Sequence, residues 1–449
     1  MPQIKEQQMK RTGTYIMIAI IILLAGAAGW LYFANYLDRG KPTITLSRNI
    51  IAIGKQQDIG ITFSDDGGGL SRVKVEIIQD NQPRVLAQES IPSQGTRQKV
   101  VKLTANTENL KLKNGPAVVR ITADDFSLFN NETILDVPVA IDTIPPQISI
   151  LNPVNYINQG GTGFIAYRIS KPVESTGVYV DDQFAPGYTA PMNNGAMSAT
   201  YFAVPLDATN QKTRISVFAS DNAGNVSKIS LPCTIKPKRF RSDSVNLSNT
   251  FLQKIVVEFQ SSIPGLQGKT AEEIFTYINT TLRDQNTKTI QDICRKSVNK
   301  KLWEGTFVRM SNAAPMALFG DQRTYMIGGK SLGNSVHLGI DLASTVHSPI
   351  EAANNGIVVF AGPLGIYGNA VIIDHGMGLF SLYGHLSAIE TAVGKTIRKT
   401  EKIGLTGLTG LAGGDHLHFS ILVNGQFVNP TEWWDPHWIE DNVMKKMLM

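Results

Sequence analysis

Asp415-His-Leu-His-Phe-Ser-Ile-Leu-Val423 alternates imidazole and apolar side chains before running into continuous aliphatics. A period of two belongs to a β-strand, and it points His416 and His418 to one face with Leu417 opposite. The same side chains recur upstream. His337-Leu-Gly-Ile-Asp341 sets an imidazole and a carboxylate four residues apart, and Tyr383-Gly-His-Leu-Ser387 adds His385. Between these motifs, closely spaced glycines separate short strands such as Gly356-Ile-Val-Val-Phe360 and Ala370-Val-Ile-Ile-Asp374. This pattern predicts a compact antiparallel β domain with tight turns over residues 306–440.

The chain has 449 residues and seven histidines, all beyond residue 336. Imidazole is the commonest metal ligand and the usual general base near neutral pH, so the chemistry is expected in this segment. Two imidazoles on one strand face, with His337 and Asp341, supply the donors that a first-row metal needs. A catalytic zinc takes three protein ligands and leaves a fourth position for water. Four histidines and one Asp exceed three, so the surplus would stand around the metal water as acid–base groups. Which of His416 and His418 is the ligand is left open by the residues themselves. His375, before Gly376, reads as a turn residue whose ring bonds backbone, and His347 and His437 read as loop and tail residues.

His337-x-x-x-Asp341, Gly356-x-Val358, Tyr367-Gly-Asn369, His375-Gly376, Tyr383-x-His385-Leu386, Gly404-x-Thr406-Gly407 and His416-x-His418 together resemble the M23 (LytM/lysostaphin-type) zinc endopeptidases. The resemblance covers about residues 319–435, from Phe319-Gly320 and Arg323 to Asn429-Pro430 and Trp433 or Trp434. It implies one Zn2+ per chain held by His337, Asp341 and His418, with His385 and His416 as the catalytic pair beside the metal water. It also implies that the substrate is the peptide portion of bacterial peptidoglycan. Some relatives have lost these residues and only activate other wall hydrolases, so a non-catalytic regulator is the alternative. The full set of five favours a working site. No Glu stands in a general-base position beside the ligands, which leaves the base among the histidines.

Outward from this domain the pattern changes. Residues 245–305 read as a small helical bridge that packs on the next domain. Thr270-Ala-Glu-Glu273 has the form of a capping box, followed by Ile274, Tyr277, Ile278 and Leu282 at helical spacing. Residues 41–144 and 145–237 read as two β-sandwiches, split at Asp142-Thr-Ile-Pro-Pro146. The two share a strand followed by an Asp-rich turn, at Arg120–Asp125 and Val217–Asn225, and the second resembles bacterial immunoglobulin-like surface modules. They are expected to serve as a spacer or as an arm for envelope protein partners. Residues 307–335 are a candidate cover for the cleft.

Residues 14–34 carry no charge and, at 1.5 Å per residue, are long enough to cross a bilayer core. Lys5, Lys10 and Arg11 precede them, so residues 1–13 are expected in the cytoplasm and the remainder outside, anchored by one pass in the cytoplasmic membrane. A cleaved signal peptide, with Ala25-Gly-Ala27 as its small-residue site, is the competing reading. A net charge of +5 without a clustered basic face excludes a nucleic-acid binder. The densest basic run, Lys236–Arg241, reads as a solvated linker. Cys233 and Cys294 belong to no metal spacing, and their pairing in an exported chain is left open. The fold class expected overall is mainly β.

Overall fold

The computed structural model describes residues 2–33, 36–92, 94–152, 155–192, 195–260 and 262–447. The chain is mainly β with one N-terminal apolar helix. It divides into one compact unit of Met1–Pro145 with Ser220–Val226 and a second of Pro146–Ala219 with Ser227–Met449.

In the first unit, Pro2–Phe33 is a continuous helix. Its stretch Gly13–Phe33 has mean hydropathy 2.4 and is apolar all round, and among the described residues nothing buries it. Such a helix suits a membrane anchor or an export signal equally in length and composition. Met1 and Ala34, parts of the expected cytoplasmic tail and membrane segment, lie outside the described residues.

The first unit also holds a three-stranded sheet of Thr43–Leu46, Gln56–Ser64 and Gln98–Asn106, and a five-stranded sheet centred on Gly115–Asp125. Strand Gln56–Ser64 alternates buried and exposed side chains, and its Ile59, Ile61 and Phe63 meet Val75, Ile77, Val119 and Ile121 in one core. The Asp-rich turns use one device. The Asp125 carboxylate accepts from the amides of Ser127 and Asn131, both at 3.1 Å, and Asp221 accepts from those of Ala223 and Asn225 at 3.0 and 2.9 Å.

The second unit begins with two four-stranded sheets and a two-stranded ribbon between residues 148 and 236. Strand Thr162–Ile169 explains why this part does not stand apart from the C-terminal domain. Its Ile165 and Tyr167 face the core of these sheets, while Phe164 faces a different core containing Tyr201, Trp303, Phe307 and Trp433. Glu432 fastens the same contact, accepting from Asn158 Nδ2 at 3.0 Å and the Thr162 amide at 2.8 Å. Burial pushes its carboxyl up to about 7.

The helices are Asn249–Phe259, Ala271–Tyr277 and Arg283–Ile293, the last two joined by a π-helical turn, Ile278–Leu282. The capping box forms, with Thr270 and Glu273 satisfying each other's backbone amides. Ile274, Phe275, Ile278 and Ile290 pack on Tyr325, Tyr367, Ile372 and Phe380. Tyr277 is only half-buried, and Phe275, two residues earlier and without a hydroxyl to solvate, takes the core.

The expected solvated linker at Lys236–Arg241 is corrected in part. Arg241 pairs with the buried Asp321 at 2.9 Å, and strand Ser242–Asn246 pairs in parallel with Gln322–Ile327. Cys233 and Cys294 are both free. Burial pushes the Cys233 thiol up to about 12 and that of Cys294 higher still.

The C-terminal domain is built on an eight-stranded antiparallel sheet. Its order is Ala314–Ala317, Ile340–Ala343, Leu417–Val423, Leu379–Leu386, Asn369–Gly376, Gly356–Pro363 and Thr396–Ile397, with Gln426–Val428 beside Leu417–Val423. The three strands Ile340–Ala343, Leu417–Val423 and Leu379–Leu386 lie side by side and carry the motifs.

Candidate metal centre

Register brings the motifs together. Asp341 lies directly opposite His418, and Gly384 lies opposite His418 on its other side. Facing residues of a sheet share a face, so Asp341 and His418 project together. Residue 385 would point to the other face in a regular strand. His385 instead adopts φ 68°, a left-handed backbone, and its ring stands 4.8 Å from that of His416 and 5.8 Å from that of His418. A non-glycine residue held at positive φ is the kind of local cost that persists where the surroundings fix it.

Three donor atoms converge. His337 Nε2 lies 2.9 Å from Asp341 Oδ1 and 3.1 Å from His418 Nδ1, and His418 Nδ1 lies 2.9 Å from Asp341 Oδ1. All three residues are at least nine-tenths buried. The two rings are fixed from behind. His337 Nδ1 bonds Leu318 O at 3.0 Å, and a carbonyl only accepts, so the proton is on Nδ1 and the Nε2 lone pair faces the cluster. Ser420 Oγ donates to Leu338 O at 2.9 Å and therefore accepts from His418 Nε2 at 3.0 Å, which leaves the Nδ1 lone pair facing inward.

Two imidazole lone pairs and a carboxylate oxygen thus meet with no proton assigned between them. Such a set repels itself unless a cation shares it. In a tetrahedral zinc shell with bonds near 2.0–2.1 Å the donors stand about 3.3 Å apart, close to the separations here. His337, Asp341 and His418 can therefore hold a divalent metal, and their chemistry fits zinc.

His385 and His416 form a second pair, outside the triad. His385 Nδ1 donates to Thr409 O at 2.8 Å and His416 Nδ1 to Gly414 O at 2.8 Å. Each keeps an Nε2 lone pair free, and that of His416 lies 3.6 Å from Asp341 Oδ1. Burial, then the charges of His416 and His418, push His385 well below the ordinary imidazole value. Burial also lowers His418, to about 4. Burial opposes ionisation of Asp341, but the imidazoles packed around it, His337 foremost, hold it well below the usual carboxylate range. For His416, burial is outweighed by Asp341, and the value rises.

Two glycines make the close approach possible. A Cβ on Gly339 would sit 2.5 Å from His418 Nε2, and one on Gly407 would sit 2.5 Å from the Ser387 amide. His375 is also buried, with its ring between Asn355 O and Ser381 Oγ at 2.7 Å each. It lies at the end of strand Asn369–Gly376 rather than in a turn, and it has no part in the cluster. The His347 side chain is exposed.

The motifs match a known domain. Residues 335–430 fit the family model of peptidase family M23. The C-terminal part of this chain is a peptidase M23 domain. The DD-carboxypeptidase/endopeptidase Mpg of Neisseria meningitidis is 46% identical over 95 residues, 21% of this chain and 22% of Mpg. The peptidoglycan DD-endopeptidase ShyA of Vibrio cholerae is 37% identical over 93 residues, 21% of this chain and 22% of ShyA. The murein hydrolase activator EnvC of Escherichia coli is 35% identical over 95 residues, 21% of this chain and 23% of EnvC. The chain thus spans about a fifth of the length of these curated relatives.

Side chains outside the five proposed site residues also shape the M23 domain's cleft. Arg323 Nη2 reaches Asp341 Oδ2 at 3.2 Å, and with Tyr325 it is what residues 307–335 contribute to the cleft wall. Arg283, from the helices, lines the same cleft. Lys254 donates to Leu408 O and Ala412 O at 2.6 and 2.8 Å, and Glu258 accepts from the Gly410 amide. The helix Asn249–Phe259 therefore grips the loop that carries Thr409 O and Gly414 O. Ser420 was open to the sequence, two residues after His418 on the same strand face. The carbonyl partners carry no side-chain signal at all.

Proposed function

We propose that this chain is a zinc-dependent endopeptidase that hydrolyses peptide bonds in peptidoglycan stems or cross-links. One observation carries the reading: a convergent His337, Asp341 and His418 donor set lies beside two histidines with free Nε2 lone pairs. Zn2+, one per chain, would be held by those three residues and would supply Lewis-acid polarisation of the peptide carbonyl and activation of water near neutral pH. His385 and His416 would take the proton of the attacking water at Nε2 and return it to the leaving amine. Their Nδ1 bonds to Thr409 O and Gly414 O keep both rings in the accepting tautomer. Protonated, the same nitrogens would stabilise the oxyanion. Arg323 would steady Asp341 as a ligand.

The substrate class rests on the similarity to Mpg and ShyA. Residues 14–34 would hold the domain at the outer face of the cytoplasmic membrane, and the sandwiches would set its reach or bind envelope proteins. The test is release of new amino groups from purified peptidoglycan by the zinc-loaded chain, with muropeptide mass spectrometry to name the bond. A zinc-loaded chain that leaves every wall preparation intact would sink the reading.

The similarity to EnvC supports a second reading, in which the domain activates other wall hydrolases without cutting. A His385→Ala chain separates the two: it abolishes function in the first reading and retains it in the second.

A further inference from the structure

We infer that Arg283 is the residue through which this cleft recognises a carboxylate on its substrate, an inference that rests on the hydrolytic reading above. The cleft wall holds two guanidinium groups, and they differ in their partners. Arg323 is paired with Asp341. Arg283 is half-buried, and among the described residues no carboxylate pairs with it. Its guanidinium is nonetheless held in place. Nε donates to Asn279 O at 3.3 Å and Nη2 to Asn279 Oδ1 at 3.1 Å, and among the described residues Nη1 has no acceptor.

Asn279 is itself buried and anchored through Nδ2 to Asn334 O at 3.1 Å. The Arg283 fork is therefore oriented before any ligand arrives, which is the condition for selective rather than merely attractive binding.

The backbone gives an independent indication. Arg283 follows directly on the π-helical turn Ile278–Leu282, and single π turns inside α-helices occur disproportionately at functional sites. Asn279 lies within that turn and Arg283 directly after it. The charge balance agrees. The cleft lining contains Arg283, Arg323 and one carboxylate, Asp341, and a divalent metal would add two more positive charges. A neutral peptide would leave that excess uncompensated, whereas a peptide bearing a carboxylate near the scissile bond answers it.

Wall peptides carry carboxylates in two places, at the C-terminus of the stem and on residues within it. The experiment amidates each in turn on a synthetic cross-linked stem dimer. Binding of the free-acid and amidated dimers to the full zinc-loaded chain is measured by calorimetry, and hydrolysis by release of amines. Amidation of the recognised carboxylate is expected to weaken binding and lower kcat/KM by roughly 10- to 100-fold, the range for a hydrogen bond to a charged group. Which dimer suffers identifies the source. In Arg283→Met the ratio between acid and amide is expected to fall to about one, while zinc stoichiometry stays at one and reports that the fold is intact. Arg283→Lys is expected to retain part of the ratio.

Equal binding of all dimers by the native chain would overturn the inference, as would a ratio unchanged in Arg283→Met. Discriminating binding without hydrolysis would leave Arg283 in its role and remove the hydrolytic reading instead.

Discussion

Replacing Ser420 with Ala removes one oxygen from a side chain that is fully buried and touches no substrate. That oxygen accepts from His418 Nε2 at 3.0 Å and donates to Leu338 O at 2.9 Å. Without it, the His418 Nε2 proton loses its partner in a dry site, and the carbonyl of Leu338 loses a donor. A buried polar group left unpaired costs about 1–3 kcal/mol. The cost is felt most in the tautomer that binds metal, because only that tautomer carries its proton on Nε2. With the proton free to move to Nδ1, toward Asp341 Oδ1 at 2.9 Å, the nitrogen needed as a ligand is blocked. Metal binding must then reverse the tautomer, and affinity is expected to fall about 10- to 100-fold, in line with the loss of other outer partners of ligating histidines. Competition against a chromophoric chelator at fixed pH measures this directly. Zinc affinity within twofold of the native chain would refute the tautomer argument, since among the described residues no other hydrogen bond holds His418 Nε2.

His385→Ala should keep zinc affinity and lower kcat by about 100-fold or more, read by amine release from peptidoglycan, because it removes a proton acceptor and no ligand. Gly339→Ala should abolish stoichiometric zinc binding, because its Cβ would meet His418 Nε2 at 2.5 Å and Phe419 O at 2.6 Å; zinc titration decides. Glu432 should make stability pH-dependent. Its carboxyl rises from 4.5 to about 7 on folding, so between those values the folded chain binds more protons than the unfolded one. The contribution of Glu432 to stability is therefore greatest below about 4.5 and falls as pH climbs to about 7, by up to about 3 kcal/mol. Glu432→Gln should flatten this segment of a Tm-against-pH curve, and an unchanged slope would count against the assignment.

The strands of the C-terminal domain were legible because their period of two is enforced by burial on at least one face. His416 and His418 share a face as that period requires, and Leu417 enters the core. His385 shows where periodicity fails. Read as a regular strand residue it would point away from the site, and only its φ of 68° turns it back. The contact of the sheets at 148–236 with the peptidase domain was equally hidden. Strand Thr162–Ile169 is buried on both faces, and in sequence that looks like any sandwich strand with a full core. Trp433 and Glu432 show the partner only once the chain is folded. The helices read as packing alone because their sequence holds no titratable constellation, and a backbone carbonyl or amide met by a lysine or glutamate leaves no mark in it.

Lys254 and Glu258 do more than face solvent. They lie one turn apart, with Nζ and Oε2 at 3.9 Å, and between them bind the loop at Leu408, Gly410 and Ala412. That loop supplies Thr409 O to His385 and Gly414 O to His416, so its position sets which nitrogen of each ring is free. Lys254→Met removes two bonds from a charged donor whose side chain is about a quarter exposed, which weakens them by solvent screening. A loss of roughly 1 kcal/mol in loop placement corresponds to a several-fold fall in kcat. KM and zinc affinity should barely move, since neither the ligands nor Arg283 depends on this loop. Hydrogen exchange at Gly410 should quicken in parallel, and Lys254→Arg should recover part of both effects. A Lys254→Met chain with faster exchange at Gly410 and native kcat would show that the loop can move without disturbing His385 and His416, and the helix would then be packing and nothing more.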